Sequence, residues 1–178
     1  KIFGRRPVIR ELHLGGGTPT FFSTKNLHWL ITYLLEDTDL HPDYEFSFEG
    51  HPNNTSEEHL RTLFDLGFRR VSFGVQDLDE KVQRTIHRIQ PFENLERATN
   101  LAREIGYKSV SFDLIYGLPF QTPFTVSDTI DKILTLIVCD HRDAQPPFAE
   151  PRRASQQKRR FPGAQETDRL HSDARPTF

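Results

Sequence analysis

The chain has 178 residues, of which 35% are apolar and 27% charged, and its net charge is −2. That length suits one domain with a real core, the near-neutral charge shows no basic excess that would point to nucleic acid, and no apolar run of about 18 residues is present to span a membrane. The single cysteine, Cys139, excludes an internal disulfide and points to a reducing, cytoplasmic setting. No methionine occurs and the first residues lack the apolar centre of a signal peptide, so the chain reads as a fragment of a longer protein.

Val8–Leu14, "VIRELHL", alternates as a strand does and runs into Gly15, Gly16 and Gly17. Ser23-Thr24 stands where an N-cap belongs, and Leu27, Leu30, Ile31, Leu34 and Leu35 follow at helical spacing. "YEFSFEG", Tyr44–Gly50, predicts a second strand. Thr55-Ser56-Glu57-Glu58 then reads as a capping box, Leu60, Leu63 and Phe64 as an apolar stripe, and Gly67 as the C-terminal cap. "RRVSFGVQ", Arg69–Gln76, predicts a third strand, with helices over Asp79–Arg88 and Phe92–Ile105, the latter ended by Gly106. "SVSFDLIYGLP", Ser109–Pro119, predicts a fourth strand, and a last helix begins near Ser127 and runs through Ile130, Ile133 and Leu134.

Strands alternating with helices over short links predict an α/β fold, with a parallel sheet and right-handed crossovers. Half of a barrel and part of an open doubly wound sheet both satisfy this pattern. After Leu136 the character changes to Pro- and Arg-rich sequence with no period. We therefore expect one folded unit over 1–136 and a disordered tail over 137–178. The abruptness of the change suggests a shifted reading frame, and a natural Pro-rich linker is the alternative.

In parallel α/β folds, ligands bind beyond the carboxyl ends of the strands. Here those ends carry Gly15-Gly16-Gly17-Thr18, Glu49, Gln76, and Asp113 with Tyr116-Gly117. A parallel sheet puts these groups on one rim, where they would suit a small zwitterionic or ribose-bearing ligand. Each also has a plainer reading: the glycines as a turn, Glu49 as a cap, Gln76 as a solvated loop residue. Asp113, within an apolar strand, is expected to be buried and to need a partner, for which Arg88 is the candidate. There is no G-x-x-x-x-G-K-[ST], and "GGGTPT" is not G-x-G-x-x-G, so neither phosphate-binding fingerprint is present. A nucleotide-binding regulatory domain would need that chemistry.

The blocks "GGGTPT", "FSFEG", "RRVSFGVQDLD", "VQRTIHRIQ", "LAREIGY" and "FDLIYGLPFQTP" together resemble radical S-adenosylmethionine enzymes, and among them the oxygen-independent coproporphyrinogen III oxidase family. The resemblance runs in order over residues 5–135. It implies a partial (β/α)6 barrel. It also implies a [4Fe–4S] cluster that reduces S-adenosylmethionine to a hydrogen-abstracting radical, with decarboxylation of two propionates of coproporphyrinogen III to vinyl groups. The product is protoporphyrinogen IX, in haem biosynthesis. An electron donor and a monomeric enzyme are implied as well. Carried onto this sequence, Gly16, Gly17 and Thr18 would meet the methionine end of S-adenosylmethionine. Glu49 would face its ammonium or ribose, and Gln76, Arg88 and Asp113 would line the same site, with Arg88 suited to a carboxylate.

The family holds its cluster on a C-x3-C-x2-C motif, and no such motif is present in this chain. The expectation is that this polypeptide alone holds no metal and is inactive; no residue is assigned a catalytic role. Two alternatives remain. One is a haem-chaperone-like relative that keeps the cluster without the oxidase activity; "GGGTPT" and "GVQDLD" favour the oxidase. The other is a non-functional truncated product with exposed sheet edges.

Overall fold

The structure, a computed structural model, describes residues 6–138. Four strands form one sheet: β1 (Val8–Leu14), β2 (Asp39–Gly50), β3 (Phe68–Gln76) and β4 (Ser109–Leu114). They lie in the order β1-β2-β3-β4, and every neighbouring pair is parallel. The connecting helices are α1 (Thr24–Leu35), α2 (Glu57–Asp65), α3 (Glu80–Thr85) and α4 (Phe92–Ile105), and α5 (Pro123–Val138) follows β4.

The strands alternate as their sequences predict. Phe46 and Phe48 on β2, and Val71, Phe73 and Val75 on β3, are buried. They share one core with Leu27 and Ile31 of α1, Leu60 and Leu63 of α2, Leu95, Ala98 and Ala102 of α4, and Ile133 and Leu136 of α5. All these helices therefore cover the same face of the sheet. A doubly wound sheet reverses its strand order and carries helices on both faces; sequential order with the described helices all on one face is the barrel arrangement. Burying one phenylalanine side chain contributes roughly 1.5–3 kcal/mol, so the row Phe46, Phe48, Phe68 and Phe73, each at most 1% exposed, supplies much of the hold of helix on sheet.

Several boundaries differ from the sequence expectation, each for a local reason. β2 begins at Asp39 rather than Tyr44, because its pairing with β1 continues past a bulge: Ile9 pairs with Leu40, and Glu11 next with Glu45. Pro42, which has no N–H for a ladder, falls inside that bulge. The capping box sits one residue later than expected. Ser56 accepts the His59 N–H at 3.2 Å, and the Ser56 N–H reaches back to His59 Nδ1 at 3.4 Å. Glu58, the expected partner, instead accepts the Thr24 hydroxyl at 2.7 Å and ties α2 to α1.

α3 stops at Thr85 rather than Arg88, where the chain turns back through His87 at φ +54°. β4 ends at Leu114 rather than Pro119. α5 begins at Pro123, ahead of Ser127: Thr122 and Thr125 exchange reciprocal side chain to N–H bonds of 3.2 and 3.0 Å, and Pro fills the first helical position. α5 runs to Val138. Residues 139–178, which hold Cys139 and nearly all of the expected tail, lie outside the described residues.

Candidate functional site at the sheet's carboxyl edge

The face of the sheet that carries no helix among the described residues is polar. Glu11 and His13 on β1, Glu45, Ser47 and Glu49 on β2, Arg70 and Ser72 on β3, and Ser111 and Asp113 on β4 alternate with the core residues. In the pairing of neighbouring strands, His13 stands beside Ser47, Ser47 beside Arg70, Glu49 beside Ser72, Ser72 beside Ser111, and Gly74 beside Asp113. At the carboxyl edge this polar band meets the loops that follow the strands. The expected residues arrive there in two groups.

The first group surrounds the glycine loop. His13 Nδ1 and the Ser47 hydroxyl share a 2.9 Å hydrogen bond, and His13 Nε2 lies 3.4 Å from Glu49 Oε1. A Cβ at Gly15 would stand 2.6 Å from His13 Nε2 and 2.8 Å from Glu49 Oε1. Gly15 therefore makes room for a protein side-chain pair, not for a ligand. Gly16 and Gly17 differ: a Cβ at either meets nothing within 4 Å, and Gly16 adopts φ +77°. Their backbone borders open space. Behind them Thr18 leads into a short 3-10 turn, Pro19–Phe21, and its carbonyl accepts the Phe21 N–H at 2.9 Å. Thr20 is buried and bonds to the Thr55 hydroxyl at 3.2 Å; Thr55 in turn donates to the His51 carbonyl at 3.0 Å. "GGGTPT" is thus an open backbone segment pinned at its far end to the loop after β2.

The second group lies at the ends of β3 and β4. Arg88 Nη2 donates to the Gly74 carbonyl at 2.8 Å. Its buried Nε has no hydrogen-bond partner among the described residues, and burial lowers the pKa of the guanidinium. The group stays charged, since arginine is not deprotonated in proteins. His51 directly follows β2. Burial, and secondarily the Arg88 charge, hold its pKa below the usual histidine value. The Asn53 N–H donates to His51 Nδ1 at 3.2 Å, which fixes Nδ1 as the acceptor and leaves the proton on Nε2.

Gln76 has φ +67°, and the Asp77 N–H reaches over it to the Val75 carbonyl at 2.8 Å. This is a γ-turn of the rare, positive-φ kind. Its backbone strain at a strand end accords with a functional position. A bulge sits at the same place, because Gly74 pairs with Asp113 and Gln76 next with Leu114. Bulges beside active sites re-aim side chains.

Asp113 corrects one expectation. It is exposed, not buried, and no ion pair joins it to Arg88 among the described residues. It lies on the polar face, and Arg88 is anchored by a backbone carbonyl instead. His13, Ser47, His51 and Gly74 belong to the site and were not among the residues expected from sequence. Strand parity with Glu49 and Gln76 could have brought forward Ser47 and Gly74.

The Radical SAM superfamily profile matches residues 1–133. The chain belongs to the radical SAM superfamily. An oxygen-independent coproporphyrinogen III oxidase of Helicobacter pylori is 48% identical over 130 residues, covering 72% of this chain and 28% of that protein. One from Pseudomonas aeruginosa is 40% identical over 134 residues, 74% of this chain and 29% of its own length. The radical SAM enzyme coproporphyrinogen III oxidase of Escherichia coli superposes with a TM-score of 0.69 at 40% identity, over 72% of this chain and 30% of that one. The chain thus spans under a third of the length of these radical SAM relatives.

Radical SAM proteins use S-adenosylmethionine and an iron–sulfur cluster, and the two fit this structure differently. The open Gly16–Gly17 backbone and the half-buried Arg88 guanidinium suit the amino acid end of S-adenosylmethionine. Among the described residues, however, no group of His, Cys, Asp or Glu side chains could hold a metal ion. The described residues do not fit a cluster, which requires thiolate ligands. No helix among them is long and apolar enough to cross a membrane.

Proposed function

We propose that the carboxyl edge of the sheet binds S-adenosylmethionine, and that the chain serves the decarboxylation of coproporphyrinogen III as part of an oxygen-independent coproporphyrinogen III oxidase. The observation that carries the first part is open backbone at Gly16 and Gly17 on the same carboxyl edge as the half-buried, charged Arg88 guanidinium. A carboxylate pairs with the accessible part of that guanidinium in a charge-assisted bond. Amide N–H groups of the glycine loop and the Glu49 carboxylate suit the ligand's polar groups. Gln76, Asp113 and Thr18 complete the lining.

When bound, S-adenosylmethionine supplies, on one-electron reduction, the hydrogen-abstracting species from which decarboxylation of a propionate begins. The chain's own residues orient the ligand. Arg88 fixes the carboxylate, and Glu49, held by His13, faces the ammonium or ribose. The substrate is supported by the relatives named coproporphyrinogen III oxidase. A reductant is required as partner, and the lone cysteine supports a reducing, cytoplasmic setting.

Equilibrium dialysis with labelled S-adenosylmethionine tests the site. The expected result is saturable, equimolar binding that weakens about tenfold or more in Arg88→Met, the usual scale for a lost charged hydrogen bond. Absence of saturable binding, or equal affinity of the variant, overturns it.

A further inference from the structure

Asp77 directly follows Gln76 and is a carboxylate with only 1% of its surface exposed. A charge so buried is tolerated only when hydrogen bonds satisfy it. Oδ1 accepts the Asp79 N–H at 2.7 Å and the Thr129 hydroxyl at 3.3 Å, and Oδ2 accepts Gln121 Nε2 at 2.5 Å. Each bond leads to a different part of the rim.

Gln121 also donates to the Ile115 carbonyl at 2.8 Å and accepts the Leu118 N–H at 2.9 Å, so it closes the loop that leaves β4 beyond Asp113. Thr129 accepts the Leu78 N–H at 3.1 Å and brings in α5. The Asp77 backbone takes part as well. Its N–H closes the turn at Gln76, and its carbonyl accepts Gln83 Nε2 at 2.9 Å. That same Gln83 nitrogen donates to the Gln90 carbonyl at 3.0 Å, Gln83 Oε1 accepts the Gln90 N–H at 3.0 Å, and the Gln83 backbone carbonyl accepts the Arg88 N–H at 2.9 Å. Gln76, the Arg88 turn and the loop after Asp113 are thereby tied to one residue.

We infer that Asp77 is a positioning residue: its buried carboxylate clamps the two loops that follow β3 and β4 and so sets Gln76, Arg88 and the Ile115–Leu118 segment for the ligand. The inference rests on the S-adenosylmethionine reading of the rim. Asp77 itself does not reach the ligand. Holding a strained turn at Gln76 requires surroundings that over-determine it, and the bonds around Asp77 supply them.

The test compares the full chain with Asp77→Asn, Gln121→Ala and the core variant Ile31→Val. Asn offers one acceptor oxygen where Asp offers two, so either Gln121 or the Asp79–Thr129 pair loses its acceptor. Gln121→Ala releases only the loop arm, at a half-buried position, and keeps the test alive should Asp77→Asn not fold. The expected result is about tenfold weaker S-adenosylmethionine binding in Asp77→Asn and a smaller loss in Gln121→Ala. Ile31→Val, chosen as a far-side control, should melt lower yet bind as the parent does. Amide hydrogen exchange, read without ligand, should show protection lost at Ile115 and Leu118 in both clamp variants and kept in Ile31→Val. Unchanged affinity and unchanged protection in the clamp variants overturn the inference. If the parent chain binds no S-adenosylmethionine, the rim reading falls, and the exchange at Ile115 and Leu118 alone decides the clamp.

Discussion

The Arg88 guanidinium occupies the space that a side chain at Gly74 would need. A Cβ there would stand 2.9 Å from Nη2, the same atom that bonds the Gly74 carbonyl at 2.8 Å. The obstructing atoms, Arg88 Nη2 and, at 3.1 Å, Gln76 Nε2, are far ends of flexible side chains, so an added methyl displaces these two residues more readily than it disturbs the sheet. Gly74→Ala is expected to weaken S-adenosylmethionine binding about tenfold while the melting temperature stays near the parent's. Dialysis and thermal melting check this together; undiminished affinity would show that the position of Arg88 does not matter.

His51 gives the fold an acid-sensitive point. Its folded pKa lies below the ordinary 6.5 because burial and Arg88 oppose its charge. Below 6.5 the unfolded chain takes up the proton more readily, so stability is full above that pH and is lost as pH falls through the folded value. The denaturation midpoint should drop between pH 7 and pH 5. His51→Asn, whose side-chain oxygen can take over the Asn53 N–H, should flatten that dependence.

Tyr107 works in the opposite direction. Its hydroxyl donates to the Leu60 carbonyl at 2.8 Å, and burial raises its pKa well above the usual tyrosine value. Between the unfolded value of 10.0 and the higher folded one, the folded chain holds the proton more tightly, so stability is full below pH 10 and declines as pH rises beyond it. Tyr107→Phe should cost about 1 kcal/mol at neutral pH and remove this residue's share of the alkaline slope. A urea series at several pH values reads both effects. S-adenosylmethionine affinity should not change, because Tyr107 lies in the core behind the sheet.

The chain's one cysteine, Cys139, cannot provide the several thiolates of a [4Fe–4S] cluster. Anaerobic reconstitution with iron and sulfide should leave iron far below cluster stoichiometry and no thiolate-to-iron absorption band. A stoichiometric, coloured product would refute this.

Much of the scaffold was legible because each strand alternates and each helix has an apolar stripe; α4 and β1 match the expectation end to end. The misses arise where side chains act out of pattern. His59 serves as the reciprocal cap in place of an acidic residue, and Pro42 sits in a bulge that hides the start of β2. The Asp113 expectation failed on parity. Phe112 and Leu114 flank it, so its side chain belongs to the polar face, and that signal was present in the sequence. Asp77 had no such signal, since its burial depends on Gln121 and Thr129, which are distant in sequence. Gly15 stands beside Gly16 and Gly17 in the strand-end loop and only the resemblance leaves it out of the ligand-binding set, because residue type alone does not say whose atoms approach.

The one-sided covering of the sheet divides the labour between successive residues. Phe46, Phe48, Val71 and Phe73 face the helices, while Ser47, Glu49 and Ser72, interleaved with them, face away. The chain therefore carries two messages on alternate letters, one for assembly and one for chemistry. Either can be rewritten while the other is read unchanged, which makes such a sheet an adaptable platform for new reactions.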